Sequence, residues 1–68
     1  MKVYISLRIQ GKIDSRKLYD EIEHLGINLI DFGNYSLVYG ELYMAEAMRV
    51  FYHCSLYGDT TTEVTHKV

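Results

Sequence analysis

The chain lacks most features that assign a small protein to a compartment. Its 68 residues include a single cysteine, Cys54, so no internal disulfide can form. No apolar run approaches the roughly 20 residues needed to cross a bilayer. The first residues enter a strand pattern directly, without the apolar core of a signal peptide. We therefore expect a cytoplasmic protein without a membrane segment.

The chain also lacks a large excess of positive or negative charge, and it lacks a metal-binding motif. A formal net charge of -2 and a pI near 5.8 give no general attraction to phosphate backbones, and no long basic patch is present. The histidines His24, His53 and His66 have no spacing that places two of them on one face beside a cysteine or carboxylate. We expect no metal and no cofactor.

Composition indicates a folded domain of limited stability. Apolar residues make up 49% of the chain and charged residues 24%, as in ordinary globular proteins. With 68 residues, however, a single core gives only marginal stability, and association with a second copy would increase it. No linker or internal repeat interrupts the pattern. We expect one domain over residues 1–68.

The first half of the chain predicts a strand, a helix and a hairpin. Apolar and polar residues alternate over 2–10, as in a half-buried strand. Asp14 or Ser15 can cap a helix that ends at Gly26. Gly33-Asn34 suits the two-residue turn of a hairpin. That turn predicts three cross-strand pairs: Phe32 with Tyr35, Ile30 with Leu37, and Asn28 with Tyr39.

The second half predicts a helix and a final strand. A helix over 43–57, closed by Gly58, places one continuous apolar arc toward the core. Its members are Tyr43, Met44, Ala47, Met48, Val50, Phe51 and Cys54. The segment 60–68 reads as an edge strand guarded by Glu63 and Lys67.

This order of elements predicts the fold class. Strand, helix, strand, strand, helix, strand in so few residues indicates an α+β, ferredoxin-like split βαβ sandwich (βαββαβ). Its four-stranded antiparallel sheet carries two helices on one face. The predicted spatial order is 4-1-3-2, with the first and third strands central and the fourth at an edge.

One segment resembles a known family. Over residues 18–30 the chain is similar to the first helix and second strand of ACT domains, in a set of seven residues: Leu18, Ile22, Leu25, Gly26, Ile27, Asn28 and Ile30. The resemblance implies a ferredoxin-like module that binds amino acids or other small effectors, usually as a dimer. In the turn after the first strand, Gly11 and Asp14 stand in the reverse of the family's order.

Two local patterns suggest chemistry. Cys54 and His53 are neighbours on one helix and point about 100° apart, so they cannot act as a thiolate and its base. A core position explains Cys54, and we expect no catalytic residue and no enzyme. The start of the first helix groups donors that could hold an anion, unless its two helical cations simply pair with Asp20 and Glu21. These donors are Lys12, Ser15, Arg16 and Lys17.

The hairpin carries the strongest signal of function, because both of its faces are apolar. Ile27, Leu29 and Val38 lie on one side, and the contact expected between Ile22 and Ile27 favours this side as the inner one. The opposite choice, which stays open, would put Leu29 and Val38 in the interface instead. Two helices can cover one side of such a sheet, so the other side is predicted to be an interface. Its residues are Tyr4, Ile30, Phe32, Tyr35, Leu37 and Tyr39.

Two uses of that face remain open. Tyrosines suit a wet protein interface, which favours a homodimer or a docked partner, with sensing of a small effector as its purpose. Tyrosines on the two central strands, near Arg8, also resemble the base-stacking platforms of RNA-recognition modules. The acidic net charge ranks single-stranded nucleic acid second.

Overall fold

The computed structural model describes residues 2–66 and places six main elements in the predicted order. They are strand β1 (Lys2–Gln10), helix α1 (Ser15–Ile22), strand β2 (Asn28–Asp31), strand β3 (Tyr35–Tyr43), helix α2 (Met44–Ser55) and strand β4 (Thr60–His66). A single 3₁₀ turn, Glu23–Leu25, extends α1. Residues 67 and 68 of the predicted last strand lie outside the described residues.

The four strands form one antiparallel sheet in the order β2-β3-β1-β4. As predicted, β1 and β3 are the central strands and β4 lies at an edge. The hairpin register is also confirmed, since Asn28 pairs with Tyr39 and Ile30 with Leu37. At the turn, the Phe32 amide donates to the Tyr35 carbonyl at 2.9 Å. The two-residue turn at Gly33-Asn34 was therefore enough to predict the pairing.

Local chemistry explains where α1 begins and how its 3₁₀ extension ends. The Asp14 carboxylate accepts a hydrogen bond from the backbone amide of Lys17 at 3.1 Å, so Asp14 rather than Ser15 is the cap. Gly26 closes the 3₁₀ turn in the left-handed conformation, with φ of 75°. The chain then turns into β2 through the buried Ile27.

One core lies between the sheet and both helices. Ile27 and Val38 are buried in it and Leu29 packs against it, so the inner side of the hairpin is the predicted one. Gly40 of β3 is also needed there, because a Cβ at this position would lie 2.8 Å from Ile27 Cγ2. The buried apolar side chains are Val3, Ile5, Leu7, Ile9, Leu18, Ile22, Ile27, Val38, Leu42, Ala47, Val50 and Cys54.

The second helix differs from the prediction in its two ends and in the exposure of residues on one side. It begins at Met44, one residue later than predicted, and ends at Ser55, two residues earlier. Met44 and Met48 were expected in the core but are 41% and 67% exposed, and Tyr43 is 53% exposed as the last residue of β3. The two methionines lie at one end of the predicted arc, beside β4, and no described strand lies beyond β4 to cover them. Within residues 2–66, no helix is long and apolar enough to span a membrane.

Candidate interaction site on the open sheet face

Every residue predicted for the interface lies on the face of the sheet opposite the helices. We call this surface the open face. Its strand residues alternate with the buried core residues of the same strands. Cross-strand pairing aligns Ile30, Leu37 and Arg8 in one row, and Asn28, Tyr39 and Ser6 in the next. The open face comprises Lys2, Tyr4, Ser6, Arg8, Gln10, Asn28, Ile30, Phe32, Tyr35, Leu37, Tyr39, Glu41, Tyr43, Thr61 and Glu63.

Large apolar and aromatic side chains on the open face are accessible to solvent. Tyr4 is 43% exposed, Ile30 40% and Phe32 48%. Leu37 and Tyr39 are half-buried between their neighbours on the central strand β3. Scattered exposed apolar residues are normal on a protein surface, but a contiguous set on one sheet face marks an interaction site.

Stacking contacts fix several of these side chains. The rings of Phe32 and Tyr35 stack with centroids 4.8 Å apart and an angle of 15° between their planes. The Arg8 guanidinium lies 4.0 Å from the centre of the Tyr35 ring, and Arg8 Nε donates to Gln10 Oε1 at 2.9 Å. Side chains held in this way lose less conformational entropy when a partner covers them.

Charge on the open face is balanced. Lys2 and Arg8 contribute two positive charges, and Glu41 and Glu63 contribute two negative ones. Lys2 Nζ lies 5.4 Å from the centre of the Tyr43 ring, so its charge sits against the aromatic surface. A neutral face of this kind has no strong preference for a polyanion.

At the predicted anion site, two of the donors are already engaged by carboxylates. The Ser15 hydroxyl donates to Asp31 Oδ2 at 2.7 Å, and the Lys17 amide donates to Asp14. The Asp31 pKa is lowered by the Ser15 hydroxyl and by the Gly33 amide, which both donate to its carboxylate. Lys12 and Arg16 are exposed nearby in sequence, and no contact among the described residues draws the four predicted residues together around one point. The anion site stays a prediction without support from these contacts.

A cluster that sequence reasoning missed joins the two helices. Glu21 Oε1 on α1 accepts a hydrogen bond from the Tyr57 hydroxyl and lies 2.9 Å from His53 Nε2 on α2. The Tyr57 hydroxyl and then His53 lower the pKa of Glu21, whereas the hydrogen bond to Glu21 is the main reason that the pKa of Tyr57 rises to about 12. We call these three residues the helix clamp. No local motif predicts it, because Glu21 lies more than 30 residues from His53 and Tyr57 in the sequence.

Neither of the reactive side chains considered in the sequence is placed for nucleophilic chemistry. Cys54 is fully buried, and burial raises the pKa of its thiol to about 12, so the thiolate is not formed near neutral pH. The His53 ring is engaged by Glu21. In the described part of the chain, no group of three or more His, Cys, Asp and Glu side chains is placed to hold a metal ion.

Comparisons with known proteins find no relative: no family model, no curated protein and no solved structure matches the chain. The open face therefore stands on its own geometry as the candidate site.

Proposed function

We propose that the chain is a ferredoxin-like module that self-associates by covering its open face with a second copy. Read from β4, the strand order is 4-1-3-2, which supports this fold class. The observation that carries the functional proposal is the exposure of Tyr4, Ile30 and Phe32 on the face that no helix covers. Burying them stabilises a chain of 68 residues, whose own core is small.

A second copy suits the open face better than an unrelated charged ligand does. In a two-fold dimer the same surface meets itself, so it must complement its own charges. Lys2 and Arg8 can approach Glu41 and Glu63 of a partner copy, which carries the same four groups. Tyrosine rings add apolar contact while their hydroxyls tolerate the remaining water.

The proposed role is non-catalytic and regulatory. The thiol of Cys54 belongs to the core, and Glu21 engages His53, so neither is assigned to a reaction. The resemblance of residues 18–30 to ACT domains supports the sensing of a small effector as the purpose of association. The turn at Gly11 departs from that family's pattern, so the proposal assigns no effector residue there.

Single-stranded nucleic acid is the second candidate, and one observation favours it. Arg8 stacks on Tyr35 and Lys2 lies against Tyr43, so cations and aromatic rings alternate on the central strands. This combination is used to stack bases and to approach phosphates. The carboxylates of Glu41 and Glu63 on the open face would repel the phosphates of a nucleic acid, so this candidate ranks second.

Tyr4→Lys tests the proposal with a matched control. The added ammonium faces Glu41 across the strands, which the fold tolerates, but it would be buried in a face-to-face dimer. Tyr19 on α1 is 40% exposed against 43% for Tyr4, so Tyr19→Lys makes the same chemical change outside the open face. We expect Tyr4→Lys to lower the solution mass measured by sedimentation and Tyr19→Lys to leave it unchanged.

Leu37→Glu, at the centre of the open face, should also lower the solution mass. Circular dichroism checks that this variant keeps its fold. If both open-face variants keep the wild-type mass, the face is not a self-association surface. Titration of the wild type with an oligonucleotide at low salt tests the second candidate. Tight binding that weakens steeply with salt would place nucleic acid first.

A further inference from the structure

A second apolar surface runs along the outer flank of α2. Met44, Met48 and Tyr52 follow one another at intervals of four residues and form a row on α2, and Leu56, the C-cap residue of the helix, continues this spacing. Their exposed fractions are 41%, 67%, 68% and 66%, and Val64 of β4 beside them is 43% exposed. We call these five residues the α2 strip. It lies on the helix side of the sheet and is separate from the open face.

The α2 strip borders the longer free edge of the sheet. In the described chain, β4 pairs with β1 on one side and with no strand on the other. It has seven residues, whereas the opposite edge strand, β2, has four. Backbone amides and carbonyls on the outer side of β4 are therefore available for pairing.

Of the two charges expected to guard this edge, only that of Glu63 lies within the described residues, and it is not on the helix side of the sheet. Glu63 pairs opposite Ser6 and belongs to the open face, and Lys67 lies outside the described residues. Toward the helices, Thr62 and Val64 line an apolar groove with Met44, Met48 and Tyr52. The free backbone edge of β4 thus adjoins the part of the α2 strip that lines this groove.

We propose that β4 pairs antiparallel with β4 of a second copy, which joins two sheets into one of eight strands and covers the α2 strip. A two-fold axis perpendicular to the sheet relates the copies. Such an axis keeps both α2 helices on the same side of the joined sheet. The α2 strip of one copy then faces the α2 strip of the other, so hydrogen bonds and apolar burial act together.

The sequence of β4 disfavours one register for this pairing and suits another. Directly opposed like charges destabilise an antiparallel pair, so Glu63 should not face itself. Centring the pair on Thr62 places Glu63 opposite Thr61 of the partner copy and Thr60 opposite Val64. Threonine is favoured in strands and pairs well across them, and the run Thr60–Thr62 supplies it.

The α2 strip supplies more than half of the area that a standard dimer interface buries. Taking about 180 Å² for a large side chain, the exposed parts of the α2 strip amount to roughly 500 Å² per copy. A standard interface buries about 800 Å² per partner, and the outer edge of β4 supplies further area. The α2 strip contains no cation that would attract an anionic lipid surface, and the free backbone groups of an edge strand are a template for pairing with another strand. A second copy of this chain provides a strand for the free edge and an apolar surface that covers the α2 strip.

This interface can be tested separately from the proposed function, because the α2 strip shares no residue with the open face and only Thr61 and Glu63 of β4 belong to both the paired strand and the open face. Two self-complementary surfaces on one chain allow assemblies of four copies. Removing one surface should then leave a dimer formed by the other.

Tyr52→Lys tests the inference by the same chemical change and the same measurement of solution mass as Tyr4→Lys and Tyr19→Lys. Tyr52 is 68% exposed, so the fold should tolerate the change. We expect Tyr52→Lys to halve the mass of the wild-type assembly and the double variant Tyr4→Lys, Tyr52→Lys to be a monomer. If Tyr52→Lys keeps the wild-type mass, the α2 strip is not an interface, whatever Tyr4→Lys does. If Tyr52→Lys alone changes the mass, the inference stands and the open-face proposal fails.

Hydrogen exchange gives a readout that does not depend on a variant. In the wild type, amides on the outer side of β4 should exchange at least tenfold more slowly at a high protein concentration than at a low one. Amides of β2 at the opposite edge serve as the internal control. Equal exchange of the outer β4 amides at both concentrations would overturn the pairing.

Discussion

Ser36 shows how a single polar group can be misplaced in an otherwise apolar core. Its side chain is 1% exposed, and its hydroxyl oxygen has no hydrogen-bond partner. The alternation of the hairpin already predicts that Ser36 points to the helices, together with Val38. The absence of a partner is visible only in three dimensions, because partners come from elements distant in sequence. An unsatisfied buried hydroxyl costs free energy that an alanine would not.

We therefore expect Ser36→Ala to raise the free energy of unfolding by about 1 kcal/mol. Urea denaturation monitored by circular dichroism measures this change. Ser6→Ala on β1 is the matched control, since Ser6 is only half-buried on the open face, and it should change stability little. A loss of about 1 kcal/mol or more in Ser36→Ala would show that the hydroxyl makes a stabilising contact.

At the scale of elements, the helix clamp connects α1 to α2 through one carboxylate. The pKa of Glu21 in the folded protein is below its ordinary value of 4.5, because Tyr57 donates to the ionised form and His53 lies beside it. A lowered pKa means that the folded state binds the proton more weakly than the unfolded state does. The contribution of the clamp is thus complete above about pH 4.5 and is lost as pH falls through the lowered pKa.

Glu21→Gln should flatten this acid dependence. The amide cannot ionise, so the variant is less stable than the wild type near neutral pH, and the difference shrinks as pH falls below 4.5. Urea unfolding at a series of pH values measures the effect, with Glu23→Gln on the adjacent 3₁₀ turn as the control. If the free energy of unfolding of Glu21→Gln falls with decreasing pH as steeply as that of the wild type, Glu21 does not contribute to stability in this way.

The elements also show what a sequence can and cannot predict here. Alternation in β1, the turn at Gly33 and the glycine stop at Gly26 are local signals, and they fixed the order, the register and the inner face of the hairpin. The width of the buried stripe on α2 is not local. It depends on where the sheet ends, so Met44 and Met48 have the right period for the core but lie beyond its border.

At the scale of the whole molecule, the chain has more apolar surface than its own elements can cover. The helices bury one side of the sheet, and they leave the open face and the α2 strip exposed. The open face was predicted because it follows from the alternation of two strands. The α2 strip was not, because it arises from the free edge of the assembled sheet. Both surfaces support the proposal that the protein functions in contact with another copy.

The solution mass of the wild-type chain tests this account most directly. Sedimentation equilibrium over a range of micromolar concentrations should give a mass that is a multiple of the 8.0 kDa of one chain and that falls on dilution. A mass of 8.0 kDa at every concentration, with the fold intact, would contradict self-association through either surface.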